Sequence, residues 1–196
     1  DLSQIVVDGY YDNTCYQAAP IEHEVDLAGY RILIRNRAYF HAFNLCAQML
    51  VPYTRVIDIG ILPAGEYKVV LQDVDGSWHE REQLKISISQ NSGPDDFIYA
   101  AVTALQVIRD EASGSWMLKL SGTYTNTCME LREVQILQRK PGIIEVMPIL
   151  QIGRDNCQPV LRRFEREVKL PAIPHSRSLI HVRTMNGTSI NRVFDF

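Results

Sequence analysis

The chain has 196 residues, of which 46% are hydrophobic, and a formal net charge of −3 at pH 7. This length fits one or two domains, and the apolar content is enough to fill hydrophobic cores, which argues against intrinsic disorder. No apolar run approaches the roughly 20 residues that a transmembrane helix needs, so we expect a protein that does not span the membrane.

The hydrophobic pattern predicts β-strands, because apolar residues alternate with polar ones instead of recurring at helical spacing. In the first half, the predicted strands lie around Val7 and at 30–34, 53–59, 67–71 and 78–88. Asp75-Gly76 separates the last two strands. This dipeptide predicts a tight hairpin in which both central residues have positive φ.

A polar stretch that contains both Gly and Pro, residues 89–94, predicts the boundary between a module at 1–90 and a module at 91–196. The second half begins with an additional strand at 97–109, where β-branched residues favour strand over helix. The first half has no room for an equivalent of it, so either the sequence begins after that strand or the first module lacks this edge strand. The strands that follow lie around Leu120 and at 142–146, 164–170 and 188–196, with Asn186-Gly187 as a second hairpin signal.

The two halves carry an internal repeat. Asn13-Thr14-Cys15 recurs as Asn126-Thr127-Cys128, and a second cysteine follows each motif about thirty residues later, at Cys46 and Cys157. Gly-x-Tyr precedes both motifs, and about thirty residues align without gaps from the second cysteine onward. The chain is therefore predicted to contain two copies of one module.

The four cysteines allow three pairings. The repeat favours Cys15–Cys46 and Cys128–Cys157, because each module then closes on itself. The alternatives are free buried thiols or a zinc site, although the closely spaced ligand pairs typical of zinc are missing from the sequence. Disulfides indicate an oxidising compartment, so an extracellular or periplasmic protein is expected. An N-terminal Asp suits removal of a signal peptide, and a cloning boundary would look the same.

Asn-Thr-Cys, a later cysteine, and Leu-Pro-Ala-Gly-Glu-Tyr at 62–67 before an alternating strand resemble the immunoglobulin-like modules of bacterial exported proteins. The resemblance covers both halves. It implies an all-β fold of two tandem immunoglobulin-like β-sandwich modules, each with one intramodule disulfide. It also implies export and a binding or structural role, and it carries over no catalytic residue.

One feature departs from the antibody pattern. Tyr67 resembles a tyrosine corner, but no cysteine lies two residues beyond it, and Ser178 occupies the corresponding position in the second copy. The spacing between the cysteines is also too short for an antibody-type bridge. We therefore expect each disulfide to be a local staple at the end of its sandwich.

Charge is unevenly divided between the halves. Residues 1–93 carry seven basic and twelve acidic side chains, whereas residues 94–196 carry thirteen and eleven. A basic run in the second half is interrupted by Glu165 and Glu167; its members are Arg162, Arg163, Arg166 and Lys169. This mixture is typical of a solvated strand, so no nucleic-acid partner is expected.

Aspartates near the predicted boundary are candidate calcium ligands, because tandem β-sandwiches can bind Ca²⁺ between domains through carboxylate oxygens. The four candidates are Asp73, Asp95, Asp96 and Asp110. They have no fixed ligand spacing, and the sequence therefore predicts no metal site and no cofactor.

No catalytic set is visible in the sequence. The five histidines (His23, His41, His79, His175 and His181) are scattered, and no Gly-x-Ser-x-Gly elbow occurs. Thr14 and Thr127 adjoin cysteines, but such residues more often bond to nearby backbone in a turn. The sequence thus favours a non-catalytic exported protein that binds or scaffolds a protein or a cell-envelope component. The alternatives are an inhibitor or recognition module for an exported enzyme and, third, a β-sandwich hydrolase.

Overall fold

The structure is a computed structural model that describes residues 2–42, 45–73, 75–88, 91, 93–153, 156–172 and 177–196, with the backbone alone at 139. Within these residues it contains fifteen β-strands and two single-turn 3₁₀ helices. The chain divides into two compact units, Leu2–Gln90 and Asn91–Phe196, which are called module 1 and module 2 below. The all-β fold class expected from the alternating pattern is confirmed. Residues 89, 90 and 92 of the predicted boundary stretch lie outside the described residues.

Module 1 contains eight strands. They are β1 (Ser3–Tyr11), β2 (Tyr16–Ala18), β3 (Glu22–Asp26), β4 (Arg31–Arg35), β5 (Ala38–Phe40), β6 (Val51–Gly60), β7 (Gly65–Gln72) and β8 (Trp78–Ile86). Strands β1 and β6 form one sheet, and β3-β4-β7-β8 form the facing sheet. A short β2-β5 ladder adjoins them.

Module 2 contains seven strands and both 3₁₀ turns, at Pro94–Asp96 and Met185–Gly187. The strands are β9 (Val102–Arg109), β10 (Trp116–Tyr124), β11 (Met129–Lys140), β12 (Ile143–Ile152), β13 (Arg162–Lys169), β14 (Ser178–Arg183) and β15 (Ser189–Phe194). One sheet has the order β13-β10-β9 and the other β11-β12-β14-β15.

The modules have the same strand pairing. Each four-stranded sheet has one parallel pair at its centre, β4 with β7 and β12 with β14, flanked by antiparallel strands. Ile32 lies opposite Val69, and Ile144 lies opposite Ile180. The parallel strands are apolar because both of their neighbours and the facing sheet exclude water.

The core of each module lies between its two sheets. In module 1, seven buried residues cluster there, including Ile32 and Ile34 of β4 and Tyr67 of β7. The Tyr67 hydroxyl donates to the carbonyl of Pro63, four residues upstream, at 3.1 Å, as in a tyrosine corner. In module 2, thirteen buried residues form the corresponding cluster.

Strand β9 accounts for much of the difference in the number of buried core residues between the two modules. It pairs with β10 along its length and places Leu105 opposite Leu120. Leu120 is fully buried as a result, whereas Val7 at the equivalent place in β1 remains 9% exposed. Among the described residues, the corresponding sheet of module 1 ends at β1. The additional strand predicted at 97–109 is therefore present, but the paired strand begins at Val102.

The two hairpins differ from each other. Asn186 and Gly187 both have positive φ, of 64° and 69°, as the sequence predicts. At the other hairpin only Gly76 does, at 86°, and the prediction for Asp75 was wrong. The Asp73 N–H donates to the Ser77 carbonyl across this turn, as the Thr184 N–H does to the Thr188 carbonyl across the other, and the Asp75 carboxylate accepts the Ser77 N–H.

Two disulfides join Cys15 to Cys46 and Cys128 to Cys157. Each connects the segment after the first strand of the repeat to the segment before its antiparallel partner, β6 or β13. The prediction of one intramodule staple at the end of each sandwich is confirmed. In the part of the chain that the structure describes, no helix is long and apolar enough to cross a membrane.

Candidate functional site

The Asn-Thr-Cys motif is a hydrogen-bonded clamp around each disulfide. The Cys15 N–H donates to Asn13 Oδ1 at 3.0 Å, and the Thr14 hydroxyl accepts the Ala47 N–H at 3.0 Å. The Thr14 N–H in turn donates to the Ala47 carbonyl at 3.2 Å. The threonine therefore binds both backbone groups of the residue next to Cys46, which aligns the two cysteine arms.

Module 2 repeats the same clamp. The Cys128 N–H donates to Asn126 Oδ1 at 2.9 Å, and Thr127 Oγ1 accepts the Gln158 N–H at 3.0 Å. The Thr127 N–H donates to the Gln158 carbonyl at 3.0 Å. The threonines thus have the backbone-bonding role that the sequence favours, with a partner on the opposite cysteine arm rather than in their own turn.

Near each clamp, a glycine of one strand lies beneath an aromatic ring of the strand that pairs with it. Gly9 faces Tyr53 across β1 and β6, and the Tyr11 ring stacks on Tyr53 with centroids 4.5 Å apart. A Cβ on Gly9 would meet the Tyr53 ring within 2.8–3.2 Å, so the missing side chain makes room for the ring. Gly122, Phe164 and Tyr124 repeat this arrangement, with the rings 4.6 Å apart.

The aromatic stack forms one side of an open cleft in module 1 with a volume of about 590 Å³. The lining combines tyrosines, cationic and amide side chains, and the end of β7. Its residues are Tyr10, Tyr11, Asp12, Tyr16, Arg35, Asn36, Arg37, Ala38, Tyr53, Leu71, Gln72, Asp73 and Gly76. Such a mixture of aromatic surface and a few polar groups is typical of a ligand site.

Polar contacts hold the cleft wall in place. Asn36 Nδ2 donates to the Tyr53 hydroxyl at 2.9 Å, which fixes the ring above Gly9. Arg37 forms an ion pair with Glu22 at 3.2 Å, and the Arg35 guanidinium lies 5.3 Å from the centre of the Trp78 ring. Because these groups are substantially exposed, the ion pair adds little stability and its charges are accessible.

The Tyr11 hydroxyl differs from its surroundings. It is buried and has no hydrogen-bond partner in the described part of the chain. Burial raises the pKa of Tyr11 above its usual value, and the nearby Tyr53 raises it further, while Arg55 lowers it. The hydroxyl is therefore neutral at physiological pH. By contrast, the hydroxyl of Tyr124 in module 2 accepts the Leu131 N–H at 3.0 Å.

The corresponding groove in module 2 is filled by the protein's own chain. The segment 98–101, which leads into β9, crosses between the sheets: the Ala100 N–H donates to the Pro148 carbonyl, and the Leu150 N–H donates to the Ile98 carbonyl. On the other side, the Thr123 N–H donates to the Ala101 carbonyl at 3.2 Å. We call 98–101 the crossing segment.

Side chains also hold the crossing segment. The Thr184 hydroxyl donates to the carbonyls of Ala100 and Val102, at 3.2 and 3.3 Å. Arg183 forms ion pairs with Asp95 and with the buried Glu145, whose Oε1 lies 2.7 Å from Arg183 Nε. The segment is thus anchored from both of its ends.

The shared strand pairing identifies the matching positions in module 1. Ile32 of β4 and Ile144 of β12 have equivalent places in the two parallel pairs. At the same spacing along the chain, the buried residues 148–150 correspond to 36–38. Thr123 corresponds to Tyr10, and Thr184 to Asp73. All these positions of module 1 line the cleft. The cleft of module 1 is therefore the groove that the crossing segment occupies in module 2.

Residue types change with this difference. The buried residues of module 2 that contact or adjoin the crossing segment are Met147, Pro148, Ile149 and Leu150. Their counterparts in module 1 are Arg35, Asn36, Arg37 and Ala38, which are half-buried or exposed. The polar residues of module 1 at these positions are thus suited to a groove that is open to solvent.

A second cleft, of about 450 Å³, lies beside the disulfide clamp of module 2. Arg162 occupies it: its guanidinium lies 5.4 Å from the Tyr124 ring centre and donates to the Met129 carbonyl at 2.8 Å. Val51 has the equivalent place in module 1. The basic run predicted as a solvated strand is indeed exposed, and Glu165 of that run pairs with Lys119 at 2.8 Å.

Each candidate calcium ligand is engaged within its own module. Asp73 accepts two bonds from Arg81, at 2.9 and 3.1 Å, and Asp95 pairs with Arg183. Asp96 accepts the Gly93 N–H, and Asp110 accepts the Ala112 N–H and the Ser113 hydroxyl. Among the described residues, no group of three or more His, Cys, Asp or Glu is arranged to hold a metal ion.

One serine, one histidine and one aspartate do meet, at the β7-β8 turn. Ser77 Oγ lies 2.9 Å from His79 Nε2, but Asp73 Oδ2 approaches the same nitrogen, at 3.5 Å. A catalytic triad needs the carboxylate on the other ring nitrogen. The Ser77 hydroxyl also donates to Asp75. This cluster is a turn network, and His175 lies outside the described residues.

The other described histidines lie apart from one another, in different elements of the structure. His181 Nδ1 lies 2.7 Å from Asn191 Oδ1 on the neighbouring strand, and His41 Nε2 lies 3.1 Å from Gln17 Oε1. His23 lies on the exposed side of β3. Neither of the two clefts described above is lined by His23, His41 or His181.

The open cleft of module 1, which we call the tyrosine cleft because Tyr10, Tyr11, Tyr16 and Tyr53 line it, was not predicted from the sequence. A signal was present, because the repeat alignment pairs the hydrophobic Met147 to Leu150 with polar residues in the first copy. The additional strand unique to the second copy was the other half of that signal.

Comparison with known proteins bears on module 1. Residues 5–95 match a family model described as the ORF11 beta-sandwich domain. The match supports a β-sandwich in module 1, in agreement with its two facing sheets. Neither the curated proteins nor the solved structures include a match to the chain.

Proposed function

We propose that the chain is an exported, non-catalytic binding protein that holds its ligand in the tyrosine cleft of module 1. One observation carries the proposal: module 1 has an open cleft of about 590 Å³ that is lined by aromatic and charged side chains. A binding site on a rigid, paired scaffold needs little reorganisation, which favours affinity.

The disulfides support the compartment that we propose. Two bridges in a chain of this size are typical of proteins from oxidising surroundings, so we place the protein outside the cytoplasm, in the periplasm or beyond the cell. Shared strand pairing, registers and clamp bonds support descent of the modules from one duplicated immunoglobulin-like ancestor in an exported bacterial protein.

The test is capture of a ligand from extracellular and periplasmic fractions of the source cells by immobilised protein. The cleft variant Tyr10→Ala/Arg37→Ala is compared with the wild type and with Glu24→Gln, which changes an exposed residue of β3 outside the cleft. We expect the wild type and the Glu24 variant to retain the same material and the cleft variant to lose at least tenfold. Equal recovery by all three proteins would refute the cleft as the binding site.

A further inference from the structure

We infer that the Cys128–Cys157 bridge of module 2 is a site of thiol–disulfide exchange, at which a thiol or dithiol reductant attacks Cys157 and displaces Cys128. The inference concerns module 2 and is therefore independent of ligand binding in the tyrosine cleft. The bridge of module 1, Cys15–Cys46, provides an internal comparison within the same chain.

The two bridges have the same construction. Their cysteines are separated by 31 and 29 residues, so the loops that they close contribute almost equally to stability. In each module, the threonine before the first cysteine bonds to the backbone of the residue after the second cysteine. A difference in reactivity between the bridges therefore comes from their surroundings.

Access to the cysteines differs between the modules. In module 1, Cys15 is only 2% exposed and Cys46 is half-buried. In module 2, Cys128 is half-buried and Cys157 is exposed. Because exchange requires a thiolate to approach one sulfur of the bridge, access limits its rate. An incoming thiolate therefore reaches the bridge of module 2 at Cys157.

A guanidinium group lies beside the other sulfur of this bridge. Arg162 Nη2 donates to the carbonyls of Thr127 and Met129, at 3.3 and 2.8 Å, and these residues flank Cys128 in the chain. Cys128 and Arg162 also line the same cleft of about 450 Å³. A nearby positive charge stabilises a thiolate, and a stabilised thiolate leaves faster. Arg162 thus favours the departure of Cys128 when Cys157 is attacked.

Other charged side chains line this cleft as well. They are Glu130, Glu165 and Arg166, and Glu165 pairs with Lys119 at 2.8 Å. We assign the stabilisation of the thiolate to Arg162, because hydrogen bonds to both neighbours of Cys128 hold its guanidinium there. At the equivalent place in module 1, Val51 supplies no charge.

The exchange is balanced in electrons and protons. A thiolate of the reductant bonds to Cys157 Sγ as the bond to Cys128 Sγ breaks, which leaves a mixed disulfide on Cys157 and a thiolate on Cys128. The second thiol of a dithiol reductant, as its thiolate, attacks its own sulfur in the mixed disulfide and releases Cys157. The reductant is oxidised by two electrons to a disulfide, and its two protons pass through solvent to the two cysteines.

The threonine clamp allows the bridge to open without separating its arms. Thr127 bonds to both backbone groups of Gln158, and neither bond involves sulfur. The two thiols of the open bridge therefore stay close to each other. We expect the exchange to occur in the folded module and to be reversible.

The test measures reduction of each bridge in the native full chain. Dithiothreitol is added at several concentrations, samples are quenched with iodoacetamide, and mass spectrometry quantifies each alkylated pair. We expect Cys128–Cys157 to be reduced about tenfold faster than Cys15–Cys46, at a rate proportional to the dithiothreitol concentration. Equal rates, faster reduction in module 1, or a rate independent of dithiothreitol, as when unfolding limits reduction, would each overturn the inference.

Brief treatment with reduced glutathione identifies the sulfur that is attacked. After an acid quench, we expect the mixed disulfide with glutathione on Cys157. A mixed disulfide found mainly on Cys128 would overturn the inference.

Variants of β13 test the role of the guanidinium. Arg162→Gln should slow reduction of the module 2 bridge about threefold, whereas Arg162→Lys, which keeps the charge, should retain the rate. Arg163→Gln is the matched control, since it removes the same charge from the adjacent exposed residue, whose side chain points to the opposite face of the strand. Equal slowing by Arg162→Gln and Arg163→Gln would contradict the role of Arg162. If Arg162→Gln fails to fold, the wild-type rates and the position of the mixed disulfide still decide the inference.

Discussion

Tyr11 and Tyr124 have equivalent positions in the two modules, but their hydroxyls have different contacts. The effect of this difference on stability can be measured. We expect Tyr124→Phe to lower the free energy of unfolding by about 1 kcal/mol, because the Leu131 N–H loses its acceptor. Tyr11→Phe removes a buried hydroxyl with no partner in the described residues, so stability should stay unchanged or rise. Urea unfolding of both variants checks this. Equal losses in the two variants would contradict the assignment.

Arg183 is the residue on which the anchoring of the crossing segment depends most. Replacing it with leucine removes the guanidinium that pairs with the buried Glu145 and with Asp95. We expect module 2 to lose about 3 kcal/mol of stability, as when one partner of a buried ion pair is removed. Asp95→Asn, which affects only the exposed pair, should cost less than about 1 kcal/mol. A loss this small for Arg183→Leu would argue against the anchor.

Buried tyrosines are also expected to lower the stability of the folded protein at high pH. Burial raises the pKa of Tyr11, Tyr99 and Tyr124 above the ordinary value of about 10. Their neutral forms are favoured in the folded state, so this stability is fully present below pH 10 and is lost as pH rises through the folded pKa values. Urea unfolding between pH 8 and 12 should show the decline, and Tyr124→Phe should reduce its slope.

At the scale of secondary structure elements, the disulfides contribute through the loops that they close. Sequence separations of 31 and 29 residues predict about 3–4 kcal/mol for each bridge. The double variant Cys15→Ala/Cys46→Ala should destabilise module 1 by that amount and leave module 2 unchanged. Cys128→Ala/Cys157→Ala should do the reverse, as hydrogen exchange resolved by module would show. Destabilisation of both modules by one pair would contradict their independence.

The strands could be predicted from the sequence because alternation of apolar and polar residues is a local property. The central parallel pair of β4 and β7 could not be predicted, since the two strands are separated by a cysteine loop and by β6. The positive φ predicted for Asp75 was wrong because dipeptide preference does not take account of the Asp75 side chain, whose carboxylate accepts the Ser77 N–H within the turn. The cleft depended on a comparison of the copies: among the described residues, the polar positions 35–37 line an open cleft, while the apolar positions 147–149 adjoin the crossing segment.

At the scale of the whole molecule, the two modules should differ in stability. The core of module 2 holds thirteen buried residues among those described, against seven in module 1, and β9 completes only its sheet. We expect calorimetry to show two transitions, with module 1 unfolding first. A ligand that binds in the cleft of module 1 should raise the lower transition and leave the upper one in place. A single transition in which module 1 amides exchange last would contradict this order.

The threonine clamp has a consequence for biogenesis. Thr14 and Thr127 bind the backbone beside the distant cysteine through atoms that involve no sulfur, so the two arms of each module can align while the thiols are still reduced. Alignment raises the effective concentration of one thiol around its proper partner and disfavours the pairings between modules. Each module therefore favours its own bridge, and if the chain is exported as we propose, its first bridge can close before the second module has emerged.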